Sequence, residues 1–116
     1  MFDVELPLIL MTPNIQEHWT KRHKRNKRNS IVLQSIKVSL QSNLKLPCKV
    51  VITRYSSRIF DYDNYVFSLK FIRDELSSYI IPGLARGQAD SSEHIEWEYK
   101  QEKSKEKKVR IEIKGI

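Results

Sequence analysis

The sequence predicts an α+β domain, with a mainly antiparallel sheet of about four strands and two main helices packed on one face. Three observations predict it. Apolar and polar residues alternate with a period of two near both ends of the chain. Two internal segments repeat apolar residues at helical spacing. Between them lies "CKVVITRY", a β-rich run that reads as a largely buried strand over 48–55.

The elements follow in order. In residues 2–11, Phe2, Val4, Leu6 and Leu8 alternate with Asp3, Glu5 and Pro7, which predicts a strand. Pro7 has no N–H and places that strand at an edge, or ends it nearby. Val32, Ile36, Leu40 and Leu44 predict a helix over 30–45, with Ser30 as its cap and Pro47 beyond its end. Tyr65, Leu69, Ile72, Leu76 and Tyr79 predict a second helix from about Asn64 to Ile80. Pro82, Gly83 and Gly87 break the chain into a loop over 81–92. Residues 94–115 read as a C-terminal hairpin. Ile95, Trp97 and Tyr99 form one apolar face and Val109, Ile111 and Ile113 the other, joined by "EKSKEKK".

The 116 residues suit a single domain spanning 1–116. With 21 Lys and Arg against 14 Asp and Glu, the formal charge of +7 favours an anionic partner, nucleic acid before a membrane surface. No apolar run approaches the roughly 18 residues of a membrane span. The first residues carry Asp3 and Glu5 where a signal peptide would be basic. Cys48, the lone cysteine, cannot form an internal disulfide, which fits a reducing cytoplasm.

Two stretches carry chemistry. In the basic segment 18–30, Lys21, Arg22, Lys24, Arg25, Lys27 and Arg28 crowd together beside Trp19. Self-repulsion predicts an open arm that contacts phosphates, or a solvated loop or helix face. The second stretch is "DYDN" at 61–64. If extended, Asp61 and Asp63 point to one side, a pair of hard oxygen donors suited to Mg²⁺. They also fit a simpler role, Asp63 as helix cap and Asp61 as a solvated turn residue. On a continuous helix, Lys70 and Asp74 fall under Asp63, so Lys70 either reaches a phosphate there or pairs with Asp74. Asp90 is a third carboxylate, in the loop before the terminal strands.

Taken in order, Pro13-Asn14 with the basic segment after it, "DYDN", "LKFIRDEL" at 69–76, Asp90 and "IEWEYKQEK" at 95–103 resemble the RusA family of Holliday-junction resolvases and their phage relatives. The resemblance implies a bacterial or phage-encoded, cytoplasmic, nucleoid-associated homodimer. It implies an endonuclease that needs Mg²⁺, or Mn²⁺, to cut branched DNA, with Asp61, Asp63 and Asp90 holding the metal. The family's catalytic lysine stands four residues after the second aspartate, where this chain has Phe67. Lys70, three residues further, is the candidate replacement. Where the family often has a double aspartate, Asp90 is followed by Ser91.

The expected reaction is hydrolysis of a DNA phosphodiester, with Mg²⁺ activating water and offsetting charge on the phosphoryl group. The basic segment, Arg54, Arg58 and Arg73 are the expected phosphate contacts, and binding is directed by shape more than by base sequence. The alternative is a DNA- or RNA-binding module without catalysis.

Overall fold

A computed structural model describes residues 2–11, 19–42, 44–82 and 93–116. Strand β1 (Phe2–Leu6) is followed by helices α1 (Trp19–Gln34) and α2 (Lys37–Ser42), then strand β2 (Cys48–Ser56). Helices α3 (Tyr62–Ser68) and α4 (Lys70–Ile80) lead to strands β3 (Ile95–Lys103) and β4 (Lys108–Gly115). The α+β class is as expected. β1 is an edge strand and stops at Leu6, the residue before Pro7.

The four strands lie in the order β1-β4-β2-β3. β1 and β2 each run antiparallel to β4, but β2 and β3 are parallel, so the sheet is mixed and not mainly antiparallel. The reason is the connection. The chain leaves β2, passes through α3 and α4 and comes back to start β3 beside the start of β2, with Cys48 opposite Ile95. A helical crossover of this kind returns a strand in the same direction.

Residues 94–115 are therefore not a hairpin. β2 lies between β3 and β4, and residues 104–107 carry the chain past the end of β2. Ser104 N–H donates to Ser56 O there, at 2.9 Å. β2 is the strand with a continuous buried apolar run: Val50, Val51 and Ile52 are all buried. That pattern suits a central strand.

One face of the sheet supplies Phe2, Leu6, Val50, Ile52, Ile95, Val109, Ile111 and Ile113 to the core, against Leu33, Leu40, Tyr65, Leu69, Ile72, Leu76 and Ile80 of the helical layer. The other face carries charged side chains in register, with ion pairs Arg110–Asp3, Lys108–Glu5 and Lys49–Glu98. Such exposed pairs contribute little each, so the apolar layer holds the fold.

Both predicted helices are displaced or divided. The first starts at Trp19, eleven positions before Ser30, and takes in the basic segment from Trp19 to Ser30. The segment has no Gly or Pro, and Lys and Arg are good helix formers. Buried Asn29 and Leu33 anchor it against the repulsion of Lys21 with Arg25 and Lys24 with Arg28. Ser35 and Ile36 then form a tighter turn, donating to Val32 O at 3.2 Å and Leu33 O at 3.1 Å, and α2 starts afresh. The second predicted helix breaks at Leu69, fully buried with φ −90° and ψ −3°, into α3 and α4.

Candidate nucleic-acid and metal-binding site

β2 ends in a loop that leads to Asp61 and the first turn of α3, and side chains of the sheet hold that loop in place. Gln101 of β3 clamps Phe60 by its own peptide. Its Oε1 accepts from Phe60 N–H at 2.9 Å, and its Nε2 donates to Phe60 O at 2.9 Å. Arg54 Nη1 donates to Arg58 O at 2.7 Å and to Gln101 Oε1 at 3.2 Å. Its guanidinium lies 3.5 Å from the centre of the Phe60 ring. Burial pulls its pKa below the ordinary arginine value, with the Tyr65 hydroxyl opposing, but an arginine keeps its charge.

Asp61 is the N-cap residue of α3, with φ −52° and ψ 143°, and makes no side-chain capping bond. Asp63 lies in the first turn. Both are exposed. The capping position thus belongs to Asp61, not Asp63, and Asp63 is helical. Strand alternation does not put the two carboxylates on one side; the turn from loop to helix brings them within one short stretch of backbone. Two exposed carboxylates open to water fit a hard cation that keeps several waters, as Mg²⁺ does. Asp90 lies outside the described residues. Among the described residues no three His, Cys, Asp or Glu side chains form a group able to hold a metal.

Lys70 opens α4, directly after Leu69, which keeps a right-handed helical conformation between α3 and α4. It is exposed, and among the described residues it makes no ion pair, with Asp74 or otherwise. Phe67, one turn after Asp63, is 63% exposed and Tyr62 is 59% exposed, so two aromatic rings flank the acid pair. Arg73 Nη1 donates to Tyr99 Oη at 2.9 Å, tying α4 to β3. Arg58 is exposed.

On α1, Lys21, Lys24, Lys27 and Arg28 are exposed and so is Arg22, while Arg25 is partly buried. Lys21, Lys24 and Arg28 recur at the i, i+3, i+7 spacing that makes one stripe along a helix. No acidic residue interrupts the helix. The basic segment is therefore a rigid cationic rod and not an open arm.

At its Arg28 end the stripe meets a groove of about 320 Å³ at one end of the sheet. Arg28, Arg54, Lys107 and Lys108 line it together with residues 7–11, and among the described residues no acidic side chain does. Asn29, 3% exposed, fixes that wall. Its Oδ1 accepts from Ile9 N–H at 3.0 Å and its Nδ2 donates to Ile9 O at 2.8 Å. Asn29→Asp keeps the acceptor but turns a carboxylate oxygen toward Ile9 O. It should cost about 1–3 kcal/mol at neutral pH, read as a lower urea midpoint. An unchanged midpoint would show that the clamp contributes nothing to stability.

Sequence reasoning missed Lys107, Lys108, Asn29 and Gln101. The two lysines were visible as part of "EKSKEKK", but their place beside Arg28 depends on the strand order. For the two amides no local pattern exists, since each clamps a peptide far away in the chain. Compared with known protein families, curated proteins and solved structures, the chain matches none of them.

Proposed function

We propose that this chain is a divalent-metal-dependent endonuclease of RusA type that acts on branched DNA as a homodimer. One observation carries the reading. Arg54 lines the cationic groove and also packs on Phe60, the residue before Asp61. Through it, a cation-lined surface and an exposed carboxylate pair adjoin each other, as hydrolysis of a phosphodiester requires.

In this reading Asp61 and Asp63 hold the metal, with Asp90 as a further ligand, and Mg²⁺ or Mn²⁺ there supplies water activation and charge neutralisation at the phosphorus. Lys21, Lys24 and Arg28 hold successive backbone phosphates, which positions the DNA without reading its bases. Arg54 and Gln101 keep Phe60, and so Asp61, in a fixed place. Lys70 is exposed and uncommitted, and it is the candidate cation for charge that develops on the phosphate. A homodimer supplies the two symmetric sites that a four-way junction needs.

The test is cleavage of a four-way junction beside a linear duplex in Mg²⁺, Mn²⁺ and EDTA. Cleavage of the junction with metal and none in EDTA is the expected result. Cleavage in EDTA would overturn the metal role. Tight junction binding with no cleavage under any condition would support the second reading, a binding module without catalysis. Phe67 at the family's lysine position favours that second reading.

The cationic stripe has its own test. Lys21→Gln with Lys24→Gln should weaken duplex binding and reduce the slope of log K against log salt by about 0.9 for each phosphate left without its cation. An unchanged slope would make the stripe a solvated face.

A further inference from the structure

We infer that the groove at the end of the sheet seats one unpaired nucleotide of a single DNA strand. The inference rests on the nucleic-acid part of the proposed function and does not need the chain to be a catalyst.

The four cations of the groove are not equivalent. Lys108 is paired with Glu5 and, at 3.2 Å, with Glu106. Arg54 is occupied by Arg58 O, Gln101 and the Phe60 ring. Arg28 and Lys107 make no ion pair or hydrogen bond among the described residues. They belong to different elements, α1 and the link between β3 and β4, and both line the same groove. Two cations with no counter-charge among the described residues, on two elements that line one concave surface, suit an anion that bridges them.

The rest of the lining is not what a bare phosphate site needs. Pro7, Leu8, Ile9, Leu10 and Met11 are also lining residues, so one wall of the groove is apolar. A phosphate beside an apolar wall fits a nucleotide, whose base and sugar lie against the wall while the phosphate meets the cations. The volume of about 320 Å³ is at the lower end for small-ligand pockets, enough for one nucleotide and too small for a base pair. Because Asn29 clamps Ile9, the wall is present before any ligand arrives. Arg28 also ends the stripe of Lys21 and Lys24, so a strand leaving a duplex held along α1 is led into the groove.

The test is fluorescence anisotropy in EDTA, which removes cleavage from the readout. The probes are a labelled oligothymidylate of about twelve nucleotides, within the span that single-strand grooves cover, and a duplex of the same length. The groove variant is Arg28→Gln with Lys107→Gln. The charge-matched control is Lys24→Gln with Lys27→Gln. All four residues are exposed, so neither variant disturbs the core.

The groove variant should weaken single-strand binding at least about tenfold more than the control does. On duplex it should do no more than the control. Equal losses from the two double variants on both probes would overturn the inference and leave a general charge effect. Displacement of the oligothymidylate by thymidine monophosphate at equal nucleotide concentration would reassign the groove to free nucleotides. Displacement by inorganic phosphate would reassign it to a bare anion. Failure to cleave in Mg²⁺ would touch only the nuclease reading, because no arm of this assay contains metal.

Discussion

Asp63→Asn should remove metal-dependent cleavage of a four-way junction while leaving the fold and junction binding in EDTA largely unchanged. Asp63 is exposed in the first turn of α3, makes no capping bond and lies two residues from Asp61. Asparagine has nearly the same shape, so the change removes a charge and little else. At an exposed position outside the core, the stability cost should stay within about 0.5 kcal/mol. A metal held by carboxylates supplies several kcal/mol of transition-state stabilisation. Losing about 3 kcal/mol or more of it slows turnover by over 10²-fold. The measurements are turnover on a junction in Mg²⁺, anisotropy in EDTA and a urea midpoint. Wild-type turnover in the variant would sink the metal role of the pair. Absence of turnover together with absence of junction binding in EDTA would point instead to damage of the DNA-binding surface.

The strands were legible because their signal is local. Alternation in Phe2 to Leu6, Ile95 to Tyr99 and Val109 to Ile113 survives in the structure as one core-facing row per strand. Their order was not legible, because "EKSKEKK" looks like a hairpin link whether or not another strand lies between its arms. The sequence did contain one relevant signal, the unbroken "VVI" of β2. Burial of three consecutive residues means both faces are covered, which a central strand provides more readily than an edge. The preference for an open arm over a helix face weighed charge repulsion without its opponent, the burial of Asn29 and Leu33. The carboxylate pair was legible as a motif at the junction of strand and helix. Its geometry was not, since Asp61 is the N-cap residue of α3 while Asp63 lies inside the helix, so strand alternation does not relate the two.

Tyr65→Ala should be among the most destabilising single changes in the protein, and it should take the candidate site with it. α3 is seven residues long, too short to be stable alone. Tyr65 is its only buried residue, fully inaccessible to solvent. Its hydroxyl donates to Ile52 O on the central strand at 2.9 Å. This side chain docks the turn that presents Asp61 and Asp63. Deleting a buried aromatic ring costs roughly 3–5 kcal/mol, a large part of the stability of a small domain. Tyr65→Phe separates the ring from the hydroxyl. It keeps the packing and should cost only about 0.5–1.5 kcal/mol near neutral pH. It should also change the response to alkali. Burial pushes the Tyr65 hydroxyl above the ordinary tyrosine range, with Arg54 opposing that shift, so the folded state holds this proton more tightly than the unfolded chain. The contribution is complete below the unfolded value of about 10 and is lost as pH rises above it. The wild type should therefore lose stability between about pH 10 and 12 more steeply than Tyr65→Phe, read from urea midpoints across that range. Parallel curves for the two proteins would mean that the hydroxyl is ionised as readily in the folded state as in the unfolded chain, and that the docking of α3 does not depend on a buried neutral tyrosine.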